Sequence, residues 1–186
     1  MIKVDKNKVE TRVCQGDIIA NVEFVEYAIE KSGQIEISKI IFPYVYVLSQ
    51  DCDLEQEYSS RTNANSQNQD KHLISVIVAP LYNLEQVYDG IHLEDIGLKM
   101  QTISRNTDKT ENKILRQNNN PRYHYLEFSN EVSIPNSVID FKHYFTVNNN
   151  LLLDKKKKCF VCKVSELYRE NISHRFSFFL SRIGLP

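Results

Sequence analysis

The chain has no tryptophan, and its 186 residues include only five glycines, five prolines and four cysteines. This composition excludes collagen-like and low-complexity disordered proteins. The longest apolar runs, at residues 44–48 and 73–81, are far shorter than the roughly 20 residues that span a bilayer, so the sequence predicts no membrane contact. Residues 1–8 are polar and lack the apolar core of a secretory signal, and we therefore expect a cytoplasmic protein.

Four cysteines in such a protein favour reduced thiols over a disulfide framework. Cys159 and Cys162 have Cys-x-x-Cys spacing, which in a turn would direct two thiolates at zinc, with Cys14 and Cys52 as further ligands. Residues 158–164 are instead typical of a strand, in which side chains three apart point to opposite faces. The sequence thus favours packed or exposed thiols, and it predicts neither a metal nor another cofactor.

The net charge is only −1, but the charges are unevenly distributed. Residues 1–60 carry 6 basic and 11 acidic side chains, whereas residues 101–186 carry 14 basic and 8 acidic ones. The basic half permits contact with nucleic-acid phosphates. In the alternative, residues 155–158 are a solvated hairpin tip and the arginines lie on an ordinary charged helix face.

Alternating or continuous apolar residues predict a series of short strands. A turn is expected at residues 15–17, ahead of the first of them. Because no helix is predicted between the strands that begin at Asp17, Tyr44 and His72, these should form one strongly bent antiparallel sheet. The expected strands cover residues 18–24, 34–41, 44–48, 72–80, 123–128 and 138–147, with two short strands on either side of residues 155–158.

Two segments have helical spacing. Residues 84–103 predict a helix broken at Gly90 and Gly97. A terminal helix is expected to begin near Ser165 and to end before Gly184. Its apolar stripe for packing on the sheet consists of Tyr168, Ile172, Phe176, Phe179 and Ile183.

These elements predict a mainly β, α+β fold, namely a small β-barrel with a helical insertion and a carboxy-terminal helix. Residues 1–186 should form a single domain. The Ser/Asn/Gln-rich residues 58–70 are expected to be a mobile surface loop, and residues 84–121 to be the insertion.

The junction at the end of the strand at residues 44–48 is the candidate site, because a thiol lies there between two carboxylates. Asp51, Cys52 and Asp53 should reach a solvent-accessible edge and meet at least one group from another strand. The candidates for that group are His72, Arg122, His124 and His143.

Three chemistries remain open at this junction. Cys52 would be a nucleophile if a histidine generated its thiolate, although the flanking carboxylates raise a thiol pKa. Asp51 and Asp53 would bind a metal together with a histidine. In the third interpretation, the Asp-x-Asp pair only forms a turn through bonds from its side chains to the backbone.

The order of these motifs resembles the PemK/MazF family of barrel toxins over about residues 13–82. The similar features are Gly16-Asp17-Ile18 leading a strand, Val47-Leu48-Ser49-Gln50-Asp51 ending one, and Pro80 in a third. The resemblance implies an SH3-like barrel, often dimeric, that cleaves single-stranded RNA without a metal and is inhibited by an antitoxin. By this resemblance, Ser49 and Gln50 would contact substrate.

Two positions depart from the family pattern. The family's arginine before the second strand corresponds to Phe42 here, and its threonine in the third strand corresponds to Tyr82. The usual charge stabilisation and acid–base partner are therefore missing from their places.

A second concentration of chemistry is Tyr123-His124-Tyr125, which follows Arg122. Aromatic rings beside a cation can stack on unpaired bases and hold phosphate, but the same alternation is natural in a sheet with one wet face. We take His124 as a candidate catalytic residue together with Asp51, Cys52 and Asp53. The candidate substrate-binding cations are Arg122, Arg175 and Arg182.

Three hypotheses about function follow. The first is a toxin-like barrel that binds and cleaves single-stranded RNA in a toxin-antitoxin or phage-defence system. The second is a non-catalytic module that binds a protein partner, such as an antitoxin or defence component, or acts as a sensor. The third is a Cys-dependent hydrolase centred on Cys52. A homodimer is compatible with the first two.

Overall fold

A computed structural model describes residues 1–65, 68–105 and 115–182. Within these ranges, eight strands form one sheet whose pairs are all antiparallel, in the order β1-β8-β2-β3-β4-β6-β5, with β7 also on β4. The strands are β1 (Val4–Asp5), β2 (Asp17–Lys31), β3 (Gln34–Val47), β4 (Ser75–Asn83), β5 (Tyr123–Leu126), β6 (Ser137–Asp140), β7 (Phe145–Asn148) and β8 (Phe160–Val164). The sheet curls into a half-barrel, which confirms the predicted α+β fold class. It also confirms one bent antiparallel sheet for β2, which begins at Asp17, β3, which contains Tyr44, and β4, which begins shortly after His72.

Helices lie against this sheet. No helix of the described ranges is both long and apolar enough to cross a membrane. The α-helices are α1 (Asp51–Thr62), α2 (Leu84–Asp89), α3 (Asn149–Cys159) and α4 (Glu166–Leu180), and short 3-10 turns cover Glu94–Ile96 and Phe141–His143.

Both faces of the central strands are buried, as their continuous apolar sequence predicts. Ile19 and Val45 point into one core together with side chains of α1, α2 and α3. Ile18 and Tyr46 point into a second core on the other face. The predicted apolar stripe of α4 packs in this second core, where Ile172 and Phe176 are buried. The last expected residue of the stripe, Ile183, and the expected helix end at Gly184 lie outside the described residues.

The β2–β3 hairpin is the longest part of the sheet, and its strand β3 joins two strands that the sequence predicted as separate. Residues 34–41 and 44–48 were predicted as separate strands, but β3 runs through Pro43. Proline has no backbone N–H, and here it stands opposite Asn21, outside the paired positions. The hairpin closes with the two-residue turn Ser32–Gly33, whose φ values of 54° and 80° suit a type I′ turn.

Two segments predicted without helix are helical. The first is α1, which lies between β3 and β4 and includes residues 58–62 of the expected loop. The second is α3, which replaces the expected hairpin tip at residues 155–158. The Asn148 side chain caps α3 by accepting from the backbone N–H groups of Asn150 and Leu151, so the helix starts where a short strand before residues 155–158 was predicted.

The prediction of one alternating strand over residues 138–147 is also wrong. A 3-10 turn at Phe141–His143 divides it into β6 and β7. The Asp140 side chain accepts from the backbone N–H of Lys142 and begins this turn. The predicted breaks in the insertion are confirmed, since α2 is capped by Gly90 and the next 3-10 turn by Gly97, both left-handed. The helix predicted after Gly97 is wrong, because residues 98–103 are irregular.

A buried ion pair joins α3 to the start of β2. Lys156 Nζ lies 2.7 Å from Asp17 Oδ2, and both side chains are only 1% exposed. Lys156 also donates to the carbonyl of Arg12, and the backbone N–H of Cys14 donates to Asp17 Oδ2. Burial raises the pKa of Asp17, and the nearby ammonium group of Lys156 opposes this shift.

Removing the cation of this pair should destabilise the fold strongly. Lys156→Ala leaves the Asp17 carboxylate buried without its partner, and we expect a loss of about 3–5 kcal/mol in the free energy of unfolding. The exposed neighbour Lys157, which pairs with Asp154 at the surface, is the matched control. Lys157→Ala should change stability by no more than about 0.5 kcal/mol. Urea denaturation followed by circular dichroism measures both, and equal losses would contradict a structural role of the buried pair.

Candidate functional site

The segment of the predicted site is the first turn of α1, immediately after β3. Gln50 is the N-cap position, and Asp51 and Asp53 are the acidic residues of the first turn, where negative charge is favourable. Ser49 Oγ accepts a 2.8 Å hydrogen bond from the backbone N–H of Ile77 and so ties the start of the helix to β4. The hydroxyl of Ser49 therefore has a structural partner.

Asp51 is held by two arginines and one backbone amide. Arg12 Nη1 lies 3.1 Å from Asp51 Oδ1, the backbone N–H of Gln15 donates to the same oxygen at 3.0 Å, and Arg169 Nη1 lies 3.4 Å from Oδ2. Burial alone would raise the pKa of Asp51, but the bonds from Arg12 and Gln15 outweigh it and lower the pKa to about 2. Asp51 is thus a fixed carboxylate rather than a proton carrier at neutral pH.

Arg169 reaches this position across the turn at Gly16. A Cβ on Gly16 would lie 2.4 Å from Arg169 Cδ, and the φ of 82° also favours glycine. Arg169 donates to the Gln15 carbonyl as well, and its Nε is buried with no partner among the described residues. An open cavity of about 360 Å³ lies in front of these groups. Its lining residues are Gln15, Gln50, Asp51, Cys52, Glu166, Arg169, Glu170 and Ser173.

Cys52 is exposed at the rim of this cavity. Its Sγ lies 3.6 Å from Gln50 Oε1 and 3.7 Å from Asp53 Oδ1, and both of these atoms are acceptors. The predicted accessible edge is therefore present. However, the groups that meet it are Arg12 and Arg169 instead of His72, Arg122, His124 or His143, a correction that arises because β5, β6 and β7 lie on the other side of β4.

His124 lies on β5, away from α1. It is 4% exposed, and its Nδ1 has no hydrogen-bond partner in the part of the chain that the structure describes. Burial, with a smaller effect of the charge on Arg175, lowers the pKa of His124 to about 3. The ring is therefore neutral at pH 7, and it does not join Asp51 and Cys52 in one site.

The three arginines predicted to bind phosphate donate to protein acceptors. Arg122 forms a two-pronged ion pair with Asp140. Arg175 donates to the backbone carbonyls of Asn120 and Tyr123. Arg182 donates to the carbonyl of Phe179, and its guanidinium lies over the ring of that residue. Arg122 and Arg175 are thus engaged in holding β5.

A group of polar side chains that sequence analysis missed surrounds Tyr82. The Tyr82 hydroxyl lies 3.1 Å from His143 Nδ1, and the same nitrogen lies 3.5 Å from Asp140 Oδ2. His92 presents its ring edge-on to Tyr82 at 4.8 Å. These residues come from β4, the insertion and the turn after β6, so only the fold brings them together. The sequence signal was the departure from threonine at Tyr82.

Comparisons with known proteins give no family. No protein-family model matches the chain, and no curated protein matches it. The resemblance to the PemK/MazF toxins therefore stays a prediction. No group of three or more His, Cys, Asp or Glu side chains in the described residues is arranged to hold a metal ion. Cys159 ends α3 and Cys162 lies buried in β8, so the Cys-x-x-Cys pair is divided between a helix and a strand.

Asp51 should contribute to stability in a pH-dependent manner. Its pKa is lower in the folded chain than in the unfolded chain, so its contribution is present above about pH 4 and is lost as the pH falls through about 2. Because the carboxylate is partly exposed, we expect Asp51→Asn to cost only about 1 kcal/mol at pH 7. The cost should shrink towards zero near pH 2.

The matched control is Asp53→Asn, which changes an exposed carboxylate of the same helix turn. We expect its effect to be at most about 0.5 kcal/mol. Chemical denaturation at pH 7, 4 and 2.5 measures both variants. A cost for Asp51→Asn that is independent of pH would show that its ion pairs do not stabilise the helix start.

Proposed function

We propose that this chain is a non-catalytic protein-binding module that assembles through the distal part of its β2–β3 hairpin. We call residues 23–41 the arm. The observation that supports the proposal is the exposure of six large apolar side chains on this segment. They are Val25, Tyr27, Ile29, Ile35, Ile37 and Ile41.

The strand register shows that these side chains cover both faces of the arm. Ile35, Ile37 and Ile41 alternate along β3 and share one face with Val25. Tyr27 and Ile29 pair with Ser38 and Glu36, and so they point to the opposite face. We call the face with Val25, Ile35, Ile37 and Ile41 the isoleucine face. Ile35 is 74% exposed and Ile37 is 59% exposed, which is a large apolar surface for a chain in water.

The arm also lacks neighbouring strands. The other edge of β2 pairs with β8 over Asp17–Ile19, before the arm begins. The other edge of β3 pairs with β4 over Val45–Val47, after the arm ends. Over the arm, the described strands therefore pair only with each other. A two-stranded ribbon is marginally stable by itself, and its open edges can accept further strands. Both properties favour an arm that is covered in its working state.

We propose a second copy of this chain as the partner on the isoleucine face. The charged side chains at this face have both signs. Lys39 Nζ lies 3.0 Å from Glu23 Oε2, Lys155 Nζ lies 3.9 Å from Glu23 Oε1, and Glu30 stands opposite Ile35. Two copies of this face therefore meet without a large net repulsion. Packing the face on its own symmetry mate buries the isoleucines of both copies in a closed, two-fold arrangement.

The surroundings of the predicted catalytic residues also support a binding role. In the described residues, the hydrogen-bond partners of Cys52 are acceptors, and Asp51 is fixed by two arginines. Among the described residues, no histidine lines the cavity at Cys52, and the neighbouring Asp53 carboxylate disfavours a thiolate. This role corresponds to the second sequence hypothesis, a non-catalytic partner-binding or sensor module of a defence system.

The dimer should depend on the arm. We expect the wild-type chain to be dimeric at tens of micromolar, and the double variant Ile35→Lys with Ile37→Lys to be monomeric, because like charges would then face each other in an apolar contact. Sedimentation equilibrium or light scattering during gel filtration measures the mass.

Ile74→Lys is the matched control, since Ile74 is 91% exposed and lies outside the arm. It should leave the dimer intact. A monomeric wild-type chain would exclude the proposal, and so would a dimer that survives the double substitution in the arm.

Single-stranded RNA binding is the second candidate function, and one cavity supports it. A space of about 450 Å³ lies between β5, the amino terminus and α4. Arg116, Tyr125 and Tyr168 line it, together with His124 and the amides of Asn118 and Asn171. Rings beside a cation can stack on unpaired bases and contact phosphate. The carboxylate of Glu127, which also lines the space, is paired with the amino terminus at 3.1 Å.

If RNA binds, Arg116 and Tyr125 should carry the affinity rather than Arg182. We expect Tyr125→Ala to weaken the binding of an unstructured RNA 12-mer about tenfold, as loss of one stacked base requires. Arg116→Gln should weaken it and reduce the salt dependence by about one phosphate contact. Fluorescence anisotropy at two salt concentrations is the measurement, with Arg182→Gln as the control. Equal losses in all three variants would argue against this cavity.

A further inference from the structure

A further cavity lies at the base of the arm. It measures about 220 Å³ and is bounded by β3, β4 and the insertion. Phe42, Leu93 and Ile96 form apolar walls. The polar residues of the lining include Tyr82, Asn83, Gln86, His92, Asp95 and Ser137. An apolar cavity of about 150 Å³ is already large enough for a benzene ring. A one-ring molecule or side chain therefore fits.

His92 has hydrogen-bonding capacity that the fold leaves unused. Both of its ring nitrogens are buried, and in the described residues neither meets strict hydrogen-bond geometry. Burial lowers the pKa of His92, and a weaker hydrogen bond to the Gln86 backbone opposes this shift, so the ring is neutral at pH 7. With the N–H directed at Gln86, the acceptor nitrogen is the atom that has no partner in the described residues. A neutral imidazole has one N–H donor and one acceptor nitrogen. A buried polar atom without a partner costs free energy, which a ligand can recover.

The hydroxyl of Tyr82 is already used within the protein. It bonds to His143 Nδ1 at 3.1 Å, and His143 in turn lies against Asp140, which Arg122 holds. This chain of contacts fixes the Tyr82 ring, which forms one wall of the cavity. The polar group that remains to be satisfied is therefore on His92.

We propose that this cavity binds a neutral phenol group, with the aromatic ring between Phe42 and Leu93 and the hydroxyl donating to the acceptor nitrogen of His92. The ring matches the apolar walls, and the hydroxyl supplies the donor that His92 lacks. An anionic ligand would meet the side chain of Asp95 and would also pay a desolvation cost at the apolar walls. The phenol comes either as a free small molecule or as the tyrosine side chain of a bound protein.

Phenol and toluene test the site, since they have nearly the same shape and differ in the hydroxyl. Titration of the wild-type chain, followed by the ring signals of its histidines in NMR spectra, should show phenol binding about tenfold more tightly than toluene. At saturation, the His92 ring nitrogen that accepts the bond should shift more with phenol than with toluene. In His92→Phe, this preference should disappear.

His72→Phe is the matched control, because His72 also has a buried nitrogen without a partner but does not line this cavity. It should keep the preference for phenol. Absence of saturable phenol binding to the wild-type chain would overturn the proposal, and so would equal affinities for phenol and toluene there. The wild-type measurement decides the matter even if His92→Phe fails to fold.

N-acetyltyrosinamide distinguishes the two sources of the phenol. If this compound binds about as tightly as phenol, the mouth of the cavity admits a peptide backbone and the source is a protein tyrosine. If only phenol binds, the source is a free small molecule. Neither result depends on the dimer, because a monomeric chain has the same cavity.

Discussion

The buried pair between Asp17 and Lys156 is the interaction on which the rest of the structure depends. It fixes α3 on the first long strand, and the same two residues bond to the backbone of the turn that carries Arg12 and Cys14. Arg12 then holds Asp51 at the start of α1. One desolvated contact thus sets the positions of two helices and of the cavity at the predicted junction.

Apolar periodicity was sufficient for the sheet and insufficient for two of the helices. The alternation at residues 18–24 and the apolar run at residues 44–48 determine strands because side-chain burial follows them directly. In α1 only Leu54 and Glu57 are buried, and in α3 only Leu152 and Lys156. Such helices bury too few apolar residues to produce a recognisable stripe. Lys156 also reversed the usual expectation that a lysine tract is solvated.

The location of the candidate site was predictable, whereas its partners were not. A polar segment directly after a buried strand must emerge at the edge of the sheet, and Asp51 does so. Its partners Arg12 and Arg169 are separated from it by 39 and 118 residues, and no local pattern encodes such contacts. The group around Tyr82 was missed for the same reason. The predicted cations Arg122, Arg175 and Arg182 donate to acceptors within the protein, which the sequence does not encode locally either.

The tight turn at Ser32–Gly33 has a consequence for how the arm can vary among related chains. Because the turn has only two residues, Lys31 must pair with Gln34, and this pair sets which residues of β2 and β3 stand opposite each other down to the sheet. The one change of register along the arm lies between Val25 and Tyr27. Side chains alternate along each strand, so adding one residue to a strand, or one residue to each strand, would exchange the two faces beyond the insertion. Natural insertions and deletions that keep both the pairing and the isoleucine face should therefore occur as two residues on each strand, and the hairpin should lengthen in steps of four residues.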